Sequence, residues 1–567
     1  MCGIVAILGN VASREQRLTA MLATQQHRGP DATQTWLDPN IALGHNRLSI
    51  IDLTETANQP MHSACGRYVL VFNGEIYNYL ELKATLSAHY TFVTQSDTEV
   101  LLAAYAHWGK NMLPHLNGMF SLLIWDKKEQ KLFAARDRFG VKPLYYAVIG
   151  SALFVASELK TLWASGVPKA KNKQTWASYL MYGTYGNPND SFWEHCWQLP
   201  AGHYIEWQAH HNLSNQQPTC WYDFIGRVHQ LHPLTKAEIF EQYQAYLASA
   251  IQLRFRADVP LGMAVSGGLD SSILIDWVHR HLPHHQAMEA FTFYTGNDQY
   301  DELPWASKLL QQTPYRWNQV LLTAAEVPDL MQKVALMQDE PFGGIPTLAY
   351  SKLFETAKNR GIKVMLDGQG IDEAWAGYDY YHTASNHLTQ GTNQSPLRPE
   401  VLEADFTQLA APITYPTPFD SAMQNKQYRD LFYTKLPRAL RFNDRISMMH
   451  SVELREPFLD YRLVELAVAQ DDDRKWDKGQ GKMLLRKWAS QWIGAELVLA
   501  PKRAVQTPQR EWLAADLKEA VEPYIIQFSN LDFVNKKAAL ACWNDYQKGN
   551  QDSSFYIWQW INAALLE

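Results

Sequence analysis

Cysteine is scarce and scattered. Cys2, Cys65, Cys196, Cys220 and Cys542 are an odd number, and none belongs to a CxxC pair. This argues against a disulfide framework and a cysteine zinc site, and a reducing cytoplasm suits it. A basic excess is also missing. The net charge is −7, which leaves no electrostatic footprint for nucleic acid or an anionic membrane. No apolar run approaches the roughly 18 residues that cross a bilayer. The opening MCGIVAILGN is apolar, but it has no basic leader and Arg14 and Glu15 cut it short. It does not read as a signal peptide. There is no internal repeat and no long low-complexity segment.

What is present is a globular composition, 46% hydrophobic and 19% charged, over 567 residues. That length exceeds one ordinary core and suggests about three or four domains, or two large ones.

In the first half, Gly3 to Leu8 reads as a buried strand and Arg14 to Gln26 as a helix. Tyr68 to Phe72 reads as a strand ending at the turn dipeptide Asn73-Gly74. Helical patterns cover Tyr79 to His89 and Asp97 to Trp108. From Phe120 to Ala156 the pattern is stranded, with SLLIW, a polar DKKEQ turn and KLFAAR as a hairpin before LYYAVI and ALFVAS. Strands and helices in layers predict an α+β sandwich that ends near the polar stretch HHNLSNQQPT.

Cys2 is the chemical candidate here. A small residue after Met1 normally permits removal of the methionine. The thiol then sits beside a free α-amine, whose ordinary pKa of about 7.7–8.0 lets it act as the thiol's own base. Acyl transfer also needs an oxyanion hole, and Asn73-Gly74 can supply a side-chain amide and a backbone N–H. Arg47 can pair with the carboxylate of an amino-acid substrate and Asp97 with its ammonium. Asp97 can also cap the helical run that Glu99 and Val100 open.

The motifs MCGI, HRGPD (27–31), RLSIID (47–52), FNGEIYN (72–78) and SDTE (96–99) resemble the class II glutamine amidotransferase domain in order and spacing. The resemblance implies an αββα N-terminal-nucleophile sandwich over residues 2–215. It implies that Cys2 attacks the glutamine side-chain amide and releases ammonia. Arg47, Leu48, Ser49, Ile50, Ile51, Asn73, Gly74, Glu75 and Asp97 match glutamine-binding positions, with Asn73 and Gly74 at the oxyanion.

The second half is organised around Leu261 to Ser272, LGMAVSGGLDSS. A short apolar strand, a glycine turn and a helix start form an anion site. It is not a GxxxxGK[ST] P-loop, because no Lys follows the glycines. Asp270 beside two hydroxyls suits magnesium at a phosphate. Helical runs then alternate with strands at Ala290 to Tyr294, Gln319 to Leu322 and Ile362 to Leu366, which predicts a doubly wound parallel α/β sheet. A second acidic, glycine-containing loop, Asp367 to Glu373, follows KVML. Asp270 and Asp372 can then share one metal ion at a triphosphate. LRFNDRISMMHSVELREPFLD (440–460) reads as a buried helix whose Arg445, Glu453 and Arg455 need partners.

SGGLDSS, GQGIDE, SVELREPFLD and GKMLLRK resemble the ATP-pyrophosphatase domain of the asparagine synthetase family, assigned here to residues 235–567. The resemblance implies that ATP adenylates a carboxylate, aspartate in that family. Ammonia arriving through an internal tunnel then gives the amide, AMP and pyrophosphate. It places ATP on Ala264, Ser266, Gly267, Gly268, Leu269, Asp270, Ser271, Ser272, Phe293, Asp367, Gly368 and Lys482, with Mg2+ on Asp270 and Asp372. It also suggests a homodimer. Two departures stand out. Gln369 occupies the place of the family's loop glutamate and cannot act as a base, and Asp367 replaces a serine. The segment DEPFGGIPT (339–347) lacks an Arg that some members place near the acceptor. Other acceptor carboxylates (a sugar uronic acid, a peptide, a secondary metabolite), a non-ligating regulatory protein and a plain glutaminase remain the alternative readings.

Overall fold

Alternating apolar residues build the first half of the chain into two stacked antiparallel sheets in a computed structural model. It describes residues 1–231, 234–282, 288–382, 396–477, 479–500, 506–549 and 553–567. One sheet runs Trp197–Gln198, Tyr145–Ile149, Ala152–Ala156, Gly3–Leu8, Ile41–Arg47, Ala32–Leu37. The other runs Thr219–Cys220, His203–Gln208, Lys131–Arg136, Gly118–Asp126, Tyr68–Ile76, Met61–His62. The two-residue period sorts each strand's faces. Ile4, Ala6 and Leu8 meet Val69, Val71, Leu123 and Trp125 between the sheets. Val5 and Ile7 point the other way, onto Leu18, Met21 and Leu22 of the helix Arg14–Thr24. Leu70, Phe72 and Ile76 pack outward on the helix Asp97–Trp108. Helices therefore cover both outer faces, and the layers are α, β, β, α.

One expected turn is not there. The strand Tyr68–Ile76 runs straight through Asn73-Gly74, in register with Ser121 and Phe120 of the neighbouring strand. Gly74 has φ +155°, and a Cβ on it would lie 2.1 Å from Met119 O. The glycine serves close strand approach, and the continuous ladder overrides the turn signal of the dipeptide.

The second half forms a five-stranded parallel sheet in the order Arg316–Leu321, Glu289–Tyr294, Leu261–Ala264, Val364–Leu366, Glu453–Arg455. Leu261–Ala264 and Val364–Leu366 are neighbours, yet their chain connections leave in opposite directions. That is the topological switch point, where open α/β sheets bind ligands beyond the carboxyl ends. The loops after these two strands are the two glycine-containing loops noted above. The reading of 440–460 as one helix is corrected. The helix Lys435–Met449 stops, and Glu453–Arg455 becomes the edge strand, paired in parallel with Val364–Leu366. Ser451 at φ +55° makes the break, and its hydroxyl donates to His27 O across 2.7 Å.

Buried charges join the halves. Arg28, fully buried, donates to Glu158 and Asp444 across 2.9 Å each. Arg445 lies 3.1 Å from Glu158 and 3.6 Å from Asp339. Arg455 Nε donates to Glu453 across 2.6 Å. The charges noted in the sequence thus find protein partners, several in the opposite half. Among the described residues, no helix is long and apolar enough to cross a membrane.

Candidate active site

The first site sits where the strands Gly3–Leu8 and Tyr68–Ile76 begin and end. Cys2 is buried, and its backbone N–H donates to Asn73 Oδ1 across 2.9 Å. A small cavity beside it is lined by Met1, Cys2, Arg47, Leu48, Ile50, Ile51, Gly74, Glu75 and Asp97. Asn73 and Ser49 do not line it. Asn73 holds the Cys2 backbone, and the Ser49 N–H donates to Asp31. The Arg47 guanidinium donates to Thr54 O, Asn58 Oδ1 and Asp52 O, so it also shapes the 51–58 loop. The helix cap is Ser96, whose hydroxyl accepts from Thr98 N. Asp97 instead accepts from Ile76 N at 2.9 Å, which corrects its expected capping role.

Electrostatics in this pocket are dominated by burial. Desolvation raises the Cys2 thiol, while the N-terminal ammonium, the Leu48 N–H and Arg47 pull it down. Asp97 is pushed up to about 6 by burial. Glu75 lies well above the carboxylate range because it is buried beside Glu453 and Asp97. The Met1 ammonium pairs with Glu453 at 3.0 Å, and Met1 is itself 1% exposed. Met1 therefore fills space next to the thiol.

The second site is a cavity of about 490 Å3 at the switch point. Ala264, Ser266, Gly267, Gly268, Leu269, Asp270, Ser271, Phe293, Asp367, Gly368, Asp372 and Lys482 all line it. Ser272 does not. It is fully buried and its hydroxyl holds Gly268 O at 2.8 Å. Gly267 has φ +71°, and a Cβ there would strike Trp305 Cβ at 2.6 Å. The helix Leu269–His281 has no side-chain cap, so its first N–H groups remain available to an anion.

Lys482, in the left-handed region at φ 60°, aims its ammonium between the two acidic loops. Nζ is 2.7 Å from Asp270 and 2.7 Å from Asp372. Two carboxylates this close repel unless a cation lies between them, and here the lysine does that. Among the described residues no group of three or more His, Cys, Asp or Glu could hold a metal ion. Two carboxylates completed by substrate phosphates are the donor set that magnesium accepts.

Asp367 is pushed up to about 7 by burial, although its Oδ1 accepts from Gln369 N at 3.0 Å. Glu456 is pushed up to about 8 by burial with Asp367 beside it, opposed by Lys142. Tyr378 donates to Glu373 at 2.7 Å. The edge strand Glu453–Arg455 touches both sites, because Glu453 holds Met1 while Arg455 O accepts from Asp367 N at 3.2 Å.

Sequence reasoning did not single out Tyr179, Tyr185, Lys435, Arg438, Phe555 or Trp558, which all line the second cavity. The two tyrosines come from the first half and the last two rings from the final helix Phe555–Leu565. No local motif marks them.

A glutamine amidotransferase domain model matches residues 1–218 and an asparagine synthase model matches residues 242–567. The chain is 31% identical to a glutamine-hydrolysing asparagine synthetase 2 of Bacillus subtilis over 86% of this chain and 69% of that one. It is 27% identical to asparagine synthetase 1 of the same organism, over 98% and 95% respectively. It is 26% identical to the amidase chry2 of Gibberella zeae over 95% and 94%. Among solved structures, the B. subtilis glutamine phosphoribosylpyrophosphate amidotransferase aligns at 15% identity and TM-score 0.31, covering 57% of this chain and 81% of that one.

Proposed function

Because this chain belongs to the asparagine synthetase family, we propose that it joins ammonia from glutamine to a carboxylic acid activated by ATP. Residues 2–215 carry the glutamine chemistry and residues 235–567 the ligation. The Cys2 thiolate attacks the glutamine amide carbon, and the oxyanion meets the Gly74 N–H and, by the family resemblance, the Asn73 amide, whose Oδ1 holds the Cys2 backbone. The Cys2 α-amine, having taken the thiol proton, passes it to the departing nitrogen, so collapse expels ammonia, and water then releases glutamate from the thioester. Arg47 holds the glutamine carboxylate and Asp97 its ammonium.

In the second cavity the glycine loop and the first turn of Leu269–His281 hold the ATP phosphates. Asp270 and Asp372 are the residues that would hold Mg2+, which would offset phosphate charge there. An acceptor carboxylate oxygen attacks the α-phosphorus and pyrophosphate leaves toward Lys482. Ammonia then attacks the acyl-adenylate, AMP leaves, and a proton is lost from nitrogen. Gln369 cannot take that proton. Asp367, pushed up to about 7 by burial, is the group to which this reading assigns the proton.

The observation that carries this reading is the edge strand Glu453–Arg455, which contacts a nucleophile pocket on one side and a phosphate loop on the other. Aspartate is the first acceptor to test. The measurement is asparagine, AMP and pyrophosphate from glutamine, aspartate and Mg-ATP. Glutamine hydrolysis without asparagine rejects aspartate. The missing Arg at 339–347 and Gln369 favour the second reading, amide synthesis on another carboxylate, which a pyrophosphate-release screen over acids separates. The family resemblance also proposes a homodimer, which sedimentation checks.

A further inference from the structure

Glu456 is a buried acid whose side chain is not held. It is 4% exposed, and among the described residues its carboxylate makes neither a hydrogen bond nor an ion pair. Its neighbours in the chain are held. Glu453 pairs with Met1 and Arg455, and Asp460 accepts from Arg254, Arg462 and Asn117. Glu456 instead lines a cavity of about 20 Å3 between the two halves, with room for one water-sized molecule. Asp137 and Arg138 reach this cavity from the first half, and Arg254 and Tyr461 from the second.

Strand register sets Glu456 beside Asp367. Leu366 pairs in parallel with Arg455, and the Asp367 N–H donates to Arg455 O across 3.2 Å, one step further on. Glu456 stays extended, at φ −115° and ψ 92°. Asp367 and Glu456 are therefore the next residues on two adjacent strands, and side chains at one level of a parallel pair share a face. Asp367 opens onto the large cavity and Glu456 onto the small one.

Two buried carboxyls side by side do not both ionise readily, so one proton stays with the pair. Glu456 keeps it. Burial pushes it up to about 8, with Asp367 and Asp137 adding to the rise and Lys142 and Arg254 opposing it. The Arg138 guanidinium is turned to Leu116 O and Pro114 O, and the Tyr77 and Tyr461 phenols complete the titratable groups at the small cavity. Asp367 Oδ1 accepts from the Gln369 N–H, which leaves Oδ2 to carry a proton. That proton has to leave the large cavity while acceptor and nucleotide still fill it.

Resting on the amide-synthesis reading, we propose that Glu456 drains the proton that Asp367 takes from the attacking nitrogen, so that the two carboxyls form a relay from the large cavity to the small one between the halves. As the C–N bond forms, the nitrogen gives one proton to Asp367, and the C–O bond breaks with its electron pair passing to AMP. Asp367 passes a proton to the Glu456 carboxylate, and Glu456 releases it at the small cavity. One proton leaves per amide, and both carboxyls end as they began. Glu456 acts through Asp367 and is a positioning residue. It can accept a proton only when ionised, so amide formation gains as pH rises through 8, beyond the limb that Asp367 sets near 7.

The test uses the full-length enzyme with ammonium salt, Mg-ATP and the acid that the pyrophosphate screen identifies. Two quantities are read: pyrophosphate–ATP exchange before ammonia is added, and the rate of amide formation afterwards, with un-ionised ammonia held constant across pH. Glu456→Gln is expected to keep the exchange and to lower kcat for the amide by about tenfold or more, with KM for ammonia nearly kept. Wild type shows a rise through pH 8, Glu456→Gln loses it but keeps the limb near 7, and Glu456→Asp recovers part of both rate and rise. A packing defect would not remove one limb of the profile and spare the other. Thermal melting identifies the folded variants. Unchanged amide formation in folded Glu456→Gln overturns the proposal, and so does a wild-type profile with no rise beyond the limb near 7, a result that needs no variant. In both cases the amide-synthesis reading stands. If no acid in the screen releases pyrophosphate, that reading itself is overturned and the proposal falls with it.

Discussion

Lys482 Nζ lies 2.7 Å from Oδ1 and 2.8 Å from Oδ2 of Asp270, a two-point ion pair across 212 positions of chain. The same ammonium reaches Asp372. The lysine thus holds the two acidic loops together when no other cation does. Replacing Lys482 with Met removes the positive group from the leaving phosphates and is expected to lower pyrophosphate release by about 10²–10³-fold in kcat. Asp270→Asn should abolish isotope exchange between pyrophosphate and ATP.

Cys2→Ala separates the sites. It should remove amide synthesis from glutamine while ammonium salt still drives it at the second cavity. Loss of both activities in a folded variant rejects two independent sites.

Met1 occupies the space beside the thiol and pairs with Glu453. Protein whose N-terminus is Cys2 by mass spectrometry should hydrolyse glutamine, and a preparation that retains Met1 should not. Glutamate release from the Met1 form contradicts this.

Asp367 offers a pH test with a definite sign. Its carboxyl is raised from 3.8 to about 7 by burial, so it is ionised only above that value. Ammonia-driven synthesis should fall as pH drops through 7, and Asp367→Asn should flatten and lower the profile. The stability effect runs oppositely. The folded chain keeps a proton that the unfolded chain releases above 3.8, so the stabilising contribution is lost as pH rises through 7. Each unit of separation corresponds to about 1.4 kcal/mol. Asp367→Asn should therefore melt higher than wild type at pH 8 and the same at pH 3.

Arg28 tests how firmly the halves are joined. Arg28→Met leaves Glu158 and Asp444 facing each other without their shared cation, and a cost of about 3–5 kcal/mol follows for a buried pair. Urea unfolding should show that loss.

The strand and helix patterns were readable from apolar periodicity, and the switch-point loops followed from them. The misreadings have physical causes. Asn73-Gly74 carries a turn signal, but cross-strand pairing to Gly118–Asp126 dominates. The break between Met449 and Glu453 depends on Ser451 at positive φ and on a hydrogen bond to His27, and no local signal announces a partner 424 positions away. Ser272 looks like Ser271 in sequence, yet helix geometry turns one hydroxyl to the cavity and the other inward. Lys435 and Arg438 carry no local signal, because only the tertiary arrangement brings their helix to the second cavity.

The helix Phe555–Leu565 has a consequence for how the protein is made. Gln559 donates to Tyr179 O at 2.6 Å, and Trp558 and Asn562 both donate to Phe342 O at 3.1 Å. These bonds seat Phe555 and Trp558 as one wall of the second cavity. Translation delivers this wall after every other part of the cavity has left the ribosome. A nascent chain can complete its first sandwich early, but the second cavity lacks this wall until Phe555 and Trp558 emerge. A stop codon near position 550 would keep every glycine loop, Lys482 and Cys2, and still remove Phe555 and Trp558 from the wall of the second cavity.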